Sequence, residues 1–527
     1  MELIVSGLMV PVEIDGPGEY LKAAAVKLDI PPREIRVVRI ISRVLAAGNP
    51  EQFYYEVSLG VTVPAGYPNG GNFPVYAPRP PARYKPAPAG PRPVVIGFGP
   101  GGMFAALELL EYGLKPLIFE RGKKLEERHL DVEKFVKGRV LAIESNIQFG
   151  EGGAGAYSDG KLFSRVNNSA YALRVLDTFI KFGAPPEIGY TGKPHLGTDV
   201  LTKIVVNIRR HVLERGGEIH YGSKMTDLVV LNGAVAGVVI NGSAEYAARG
   251  VYLAAGNSAR DTFEMLHRKG VSLEARNIAV GVRVEHPADT INLIRYGRKY
   301  RNFPGLGAAT YSFNYTDRKT ARGAYTFCMC PGGEVVNASS EEGGLALNGM
   351  SYAARSSAFS NSAITVPCGP ADYGSSHPLA GVEFQRGIER KAFLAGGGDW
   401  HAPAQNLGDF LSGGRSAALN ANSYKMGTRS ADLAAVFPGF VSETLRAAFM
   451  RWRGEAPLFV ADYAVVMGPE TRTSSPVRIK RDENFESVSV RGLFPIGEGS
   501  GYTGGITSAA LDAIKAVEAA QKSLSAG

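Results

Sequence analysis

One stretch of the chain, VVIGFGPGGMFAALELLEYGLKPLIFERG from Val94 to Gly122, restricts the fold more than any other. Gly97, Gly99 and Gly102 stand in G-x-G-x-x-G spacing, with Pro100 and Gly101 between them, after a short apolar run that reads as a buried strand. An apolar-striped run that reads as a helix of about three turns follows. A second strand, KPLIFE, ends on Glu120, with 17 residues between it and Gly102. Each residue type has a physical reason. Gly97 allows a tight turn, Gly99 lets main chain approach a pyrophosphate, and Gly102 lets helix and sheet pack closely. The helix N-terminus offers unpaired N–H groups and partial positive charge to phosphates, while Glu120, followed by Arg121, is placed to meet ribose hydroxyls. Strand, turn, helix, second strand and acid in register predict a Rossmann-type α/β sheet that binds a dinucleotide.

The fingerprint does not distinguish FAD from NAD, but two distant segments do. MTDLVVL, AVAGVVI and AEYAARGVYLAAG read as strands joined at Asn232-Gly233 and Asn241-Gly242, pairs that tolerate positive φ in tight hairpins. The run begins at Met225 and ends in LAAGNSA, whose Ala255 and Gly256 resemble the turn after the hairpin crossover of glutathione-reductase-type FAD domains. The C-terminal GLFPIGEGSGYTGGITSAALDAI resembles the motif in which a Gly-acid pair, here Gly497-Glu498, meets the ribityl chain of FAD. Gly504, Gly505 and Ile506 open the helix that follows, and its dipole would favour negative charge on a reduced flavin. A third cluster, NIQFGEGGAGAYSDGKLFSRV, supplies Gly152, Gly153, Ala154 and Gly155 for close main-chain contact, with Ser158, Asp159, Gly160 and Lys161 as polar partners. A glycine-rich loop of this length inside a compact domain is usually functional. Non-covalently bound FAD is the expected cofactor.

Glycine is the compositional outlier, 65 in 527 residues or about 12% against an average near 7%. Residues 77–93, APRPPARYKPAPAGPRP, hold seven prolines and no acid and read as a linker. Before it, residues 1–76 read as a small α+β domain, with strands at Leu3–Leu8, Ile35–Val44 and Phe53–Val61 and a helix at Tyr20–Leu28. The expected fold class is α/β. Residues 94–260 and 481–527 form a Rossmann-type FAD- or NAD(P)-binding domain, residues 261–480 an inserted α+β substrate domain covering the flavin, and residues 1–76 the N-terminal α+β domain. A capped helix is expected from Thr198 or Asp199 to Gly216.

Together GFGPGGMFAALELLEYGLKPLIFERG, EGGAGAYSDGKL, KPHLGTDVL, NSARDTFEML, GVRVEHP, FCMCPGGEVVNASSEEGGLALNGMS, TRTSSPVRI and GEGSGYTGGITSAALDAI resemble the bacterial and plastid family of uncharacterised FAD-dependent dehydrogenases. The likeness runs from about Pro93 onward. It implies FAD and a redox fold and supplies no substrate. Asn257 stands where the resemblance suggests histidine, so it implies no essential role for that side chain.

Candidate catalytic groups are Cys328 and Cys330 of CMCPGG, His195 of GKPHLGTD and Tyr502 of the C-terminal loop, with His286 as a further proton carrier and Arg283 and Arg472 as anion anchors. Buried strand cysteines and structural histidines and ion pairs are the alternative reading of these residues. Two neighbouring cysteines do not make a four-ligand zinc site, so no metal is expected. Three cysteines and an acidic, non-basic start favour a reducing, cytoplasmic setting, and no apolar run reaches the roughly 18–20 residues of a membrane span. The net charge of +8 is spread over the whole length, without the basic and aromatic runs of a nucleic-acid site. With one dinucleotide fingerprint, electrons are expected from a small-molecule substrate, from transiently docked NADPH or NADH, or from an electron-carrier protein. The alternatives are a flavoprotein acting on RNA and a regulatory protein holding FAD without turnover. The sequence gives no oligomeric state.

Overall fold

The computed structural model describes residues 1–77, 91–162, 169–248 and 250–526. Most of the expected linker, residues 78–90, and residues 163–166 of the glycine-rich loop lie outside the described residues.

Val94–Ile96, buried at all three positions, is the central strand of a five-stranded parallel sheet. The strand order is Leu493–Pro495, Val251–Leu253, Val94–Ile96, Leu117–Phe119, Glu218–His220. Parallel neighbours need crossovers. The helix Pro100–Glu111 provides the first, starting on a proline whose missing N–H costs nothing there and burying Met103, Phe104, Leu109 and Leu110. It packs against the C-terminal helix Ile506–Ala526, so the last residues of the chain complete the sheet and its cover. The strands Met225–Leu231, Ala234–Ile240 and Ala244–Ala247 form the expected antiparallel unit, turning at Asn232-Gly233 and Asn241-Gly242 with positive φ at all four residues. The helix expected from Thr198 or Asp199 spans Thr198–Glu214; Gly197 precedes it without a side-chain cap, and Gly216, with φ of 84°, stops it.

Between the two parts of this Rossmann-type fold lies a seven-stranded, mainly antiparallel sheet. Its order is Asn314–Thr316, Gly323–Cys330, Phe359–Cys368, Ile278–Pro287, Val465–Glu470, Ala402–Asn406, Thr428–Ser430, with only the last pair parallel. Nine of the ten residues of Ile278–Pro287 are buried: the strand lies inside the sheet, helix Gly439–Glu455 packs on the sheet with Leu445, Phe449 and Trp452, and Arg283 meets Asn348 and Gly349. The N-terminal unit pairs Glu2–Pro11, Tyr54–Thr62 and Arg36–Ala46 under helix Pro17–Leu28. Its buried apolar side chains are continuous with those of the insert. Phe53 stacks on Tyr300 at 4.3 Å, and the Tyr55 hydroxyl donates to Gly305 O at 3.1 Å. Among the described residues, no helix is long and apolar enough to cross a membrane.

His286 belongs to this core. Its ring stacks on Phe459 at 4.5 Å, its Nε2 lies 2.7 Å from Phe459 O, and burial lowers its pKa to about 4. The unfolded chain therefore binds a proton between pH 6.5 and 4 that the folded chain refuses, and stability is lost as pH falls through that window. Urea unfolding of wild type should show up to about 3 kcal/mol more loss between pH 7.5 and 4 than His286→Phe. An equal loss in both would show that His286 titrates in the folded protein.

Candidate functional site

Main chain meets main chain around the fingerprint. Gly97 has φ of 91°, and a Cβ there would lie 2.4 Å from Ala254 O. A Cβ on Gly102 would lie 1.9 Å from Gly97 O, so only hydrogen lets the helix start this close to the strand. Gly153 packs on Gly99, where its Cβ would stand 2.9 Å from Gly99 Cα, and Gly101 faces Gly497 at 3.4 Å from the corresponding built atom. Gly155 borders Pro100 and Ile506, next to the short helical turn Ala154–Tyr157 that also holds Ala154, while Gly152 donates to Phe98 O at 2.9 Å. Two helix N-termini, at Pro100 and Ile506, thus converge on one glycine-lined space. Side chains built at Gly256, Gly504 or Gly505 meet nothing within 4 Å, so this side is open. Ala255 precedes Gly256 in the same turn.

Two buried charges shape the cradle from behind. Glu120 accepts from Phe98 N–H at 2.7 Å on one oxygen and from Gly122 and Gly150 N–H at 2.8 and 3.0 Å on the other. The main chain thus occupies three of its acceptor directions, leaving one on Oε2 for a hydroxyl. Arg128, which the sequence did not single out, is fully buried and donates to the carbonyls of Asn146, Ile147, Gly150, Glu151 and Gly153 at 2.7–3.3 Å. Its guanidinium gathers the carbonyls of the glycine loop on one side, and no motif signals this; only burial reveals it. Arg121 is engaged elsewhere, with both Asp261 oxygens at 2.9 Å, Glu144 at 2.7 Å and the face of Phe149. Met225 is buried beyond Gly222 and Ser223, which pair with Gly122 and Glu120.

A second group assembles where the insert covers the cradle. Ser158 Oγ caps its own turn, donating to Gly155 O at 2.8 Å and accepting from Gly160 N–H at 3.0 Å. Asp159 is buried against Lys161 at 3.0 Å and Arg355 at 2.6 Å and accepts from the Ser351 hydroxyl. Burial opposes its ionisation, but the two facing cations outweigh it and hold the carboxyl below its usual range. Lys161 donates to Met329 O, bringing CMCPGG to the glycine loop. Its ammonium is desolvated, yet facing Cys330, Cys328 and Asp159 raises its pKa. His195 pairs across from Lys161, with Nε2 3.3 Å from Ala353 O, and burial and then Arg355 lower its pKa. Thr507 Oγ1 donates to Leu162 O at 2.8 Å, tying this group to the first turn of the C-terminal helix. Glu498 accepts from Asn257 Nδ2 at 3.1 Å; burial, opposed by that amide and aided by negative charge on Cys328, raises its pKa to about 7.

The other candidates are engaged by neighbouring side chains. Tyr502 is exposed, accepts from Arg481 N–H at 3.2 Å and lies beneath the Arg478 and Arg481 guanidiniums. Arg472 is locked to Glu389 at 3.1 Å, beside Arg260, which holds the same carboxylate at 2.8 Å. Arg283 is fully buried on Glu470 at 2.8 Å and Asn361 at 2.7 Å.

Residues 277–473 match the family model described as FAD-dependent protein, C-terminal domain-like. An uncharacterised protein of Clostridium beijerinckii is 47% identical over 429 residues, spanning 81% of this chain and 80% of its own length. The chain belongs to this family of FAD-dependent proteins. Solved structures similar to it include a flavin-dependent brominase (14% identity, 82% of this chain and 79% of that one, TM-score 0.36). A geranylgeranyl bacteriochlorophyll reductase-like protein of Thermoplasma acidophilum is 14% identical over 84% of this chain and 80% of its own, with a TM-score of 0.35.

FAD is the cofactor, and the residues present fit it: open glycines beside two helix N-termini suit a pyrophosphate and a flavin edge. The second and third fingerprint glycines should separate when mutated. A Cβ on Gly99 would make only ordinary contact, 3.4 Å from Gly153 Cα, and the branched side chain of Gly99→Val should intrude on the cradle, weakening FAD binding roughly 10-fold or more in a folded protein. Gly102→Ala drives Cβ into Gly97 O and should cost more than about 2 kcal/mol of stability. Fluorescence titration of apoprotein with FAD, beside thermal unfolding, checks both; unchanged FAD affinity in a folded Gly99→Val protein would misplace the cradle.

Proposed function

We propose that this chain is an oxidoreductase in which hydride passes between FAD and a small molecule entering where the insert meets the nucleotide-binding part. The observation that carries this reading is the convergence of two helix N-termini and a cluster of buried titratable groups on one open, glycine-lined space. Bound FAD supplies a two-electron acceptor and donor. The N-terminus of Ile506–Ala526 favours negative charge beside it. Lys161, Arg355 and His195 give the entrance positive and polar character suited to an anionic or carbonyl substrate. Glu498, with its pKa raised to about 7, can exchange a proton near neutrality, and Asn257 orients it. A single dinucleotide fingerprint leaves nicotinamide as a visitor, NADPH or NADH docking transiently, or an electron-carrier protein as the partner.

The flavin absorption of the purified protein should bleach on anaerobic addition of a hydride donor, with NADPH and NADH the first to be tried. For a donor that gives up a proton with its hydride, the bleaching rate should rise with pH through about 7 as Glu498 ionises. That inflection should vanish in Glu498→Gln with flavin retained. A flavin that stays oxidised with both nicotinamides, with a panel of small alcohols, amines and thiols, and with a reduced electron-carrier protein would reject the oxidoreductase reading.

A further inference from the structure

The three cysteines are treated in opposite ways. Cys368 is buried in a regular strand, its thiol 3.6 Å from Val366 O, and burial pushes its pKa up to about 12. Cys328 and Cys330 sit where strand Gly323–Cys330 breaks register with Phe359–Cys368, between the pairs Phe327 with Ala363 and Cys330 with Asn361. Within that bulge Cys328 takes φ of 43°, a left-handed conformation rare for a side chain of this kind and concentrated at functional sites. The turn leaves Cys328 half-buried and Cys330 fully buried behind it.

Two cations border the cysteines, each also paired with a carboxylate, Arg283 with Glu470 at 2.8 Å and Lys161 with Asp159 at 3.0 Å. Arg283, fully buried, donates to Cys328 O at 2.9 Å and reaches Cys330 Sγ at 3.7 Å. Lys161 holds the carbonyl of Met329 between the two cysteines. Gly349 makes room for them, since a Cβ there would lie 2.7 Å from Cys330 Sγ and 2.3 Å from Arg283 Nη2. A hydrogen bond from Cys330 lowers the Cys328 pKa and, against desolvation, Lys161 and Arg283 lower it further, while the Cys330 thiol is raised. Lys161 joins the Met329 carbonyl to the glycine loop, and Thr507 of the Ile506 helix donates to Leu162 O next to it, so the segment carrying Cys328 meets that loop beside the helix start.

We propose that Cys328 and Cys330 form a redox-active dithiol that exchanges two electrons with FAD, and that the small molecule served by this site is a disulfide. This deepens the oxidoreductase reading and rests on it. With the Cys328 thiolate and the Cys330 thiol reduced, an S–S bond forms between the two sulfurs, and two electrons together with the Cys330 proton pass to FAD. In the reverse direction the reduced cofactor returns them, and Cys328, the accessible sulfur, attacks one sulfur of the substrate disulfide while the other leaves as a thiolate. Cys330 then closes the bond to Cys328 and releases the second substrate thiol. An i, i+2 pair in a fully extended strand spans about 6.8 Å between Cα atoms, the upper limit for a disulfide, and Cys330 Sγ already reaches back to within 3.4 Å of Cys328 O.

The test is an anaerobic dithionite titration of the oxidised, flavin-loaded protein, with free thiols counted by alkylation after denaturation. The expected uptake is about four electrons per flavin, two for FAD and two for the disulfide. Free thiols should rise from one, Cys368, to all three cysteines of the chain. Cys328→Ser and Cys330→Ser should each take up about two electrons, and Cys368→Ser about four. 2-Hydroxyethyl disulfide should reoxidise the reduced wild type at least about tenfold faster than Cys328→Ser. Two electrons and three free thiols in flavin-loaded wild type would overturn the dithiol whatever the variants do. Equal reoxidation of wild type and Cys328→Ser would overturn the disulfide as substrate. A chain that binds no FAD would instead defeat the oxidoreductase reading beneath the proposal.

Discussion

The contact on which the site depends is the approach of the helix Pro100–Glu111 to the carbonyl of Gly97, where a single methyl on Gly102 would lie 1.9 Å from that oxygen. Because no side chain separates helix from strand, the helix N-terminus can point at a ligand lying against the sheet edge. The same device recurs nearby, with Gly153 on Gly99 and Gly101 against Gly497, so three segments distant in sequence meet main chain to main chain. Glu120 and Arg128 then fix the loops from behind, one collecting N–H groups and the other carbonyls. Both are buried charges that would be expensive without these partners, which ties loop geometry to the folded state.

The insert is held over this cradle by ionic contacts rather than a flexible hinge. Arg260, at the start of the first helix after the nucleotide-binding sheet, shares Glu389 with Arg472, and all three are buried. Removing one partner of such a cluster leaves an uncompensated buried charge, a loss of about 3–5 kcal/mol. The N-terminal unit braces the other side of the insert through Phe53, Tyr55 and Tyr300. Cys328 and Cys330, on the strand Gly323–Cys330, and Arg355, in the loop before Phe359–Cys368, are therefore presented by a sheet fixed at both ends and by its connecting loop.

Much of the nucleotide-binding part is legible in the sequence because its constraints are local. A glycine triplet at fixed spacing, a strand of three buried apolar residues, two Asn-Gly turns and a helix stop at Gly216 each act over a few residues. The seven-stranded sheet is less legible, since its strands are brought together across almost 200 residues and several are short or contain small polar residues, as in Phe359–Cys368. The site shows the same division. Gly97 and Gly102 declare themselves, whereas Arg128 looks like any charged residue of an exposed helix until its burial is seen. Lys161 and the CMCPGG segment each stand out in glycine-rich motifs, but their meeting, through the Met329 carbonyl, is a tertiary fact. His286 and Arg472 have the chemistry of site residues and are taken up by core packing and by an ion pair.

The most direct test is a crystal structure of the FAD-loaded chain. The pyrophosphate should lie within hydrogen-bond distance of N–H groups in the Gly99–Gly102 turn, with the flavin ring beside Gly504–Ile506 and facing the segment that carries Cys328. A cofactor seated elsewhere, or one whose ring is separated from that segment by intervening protein, would contradict it.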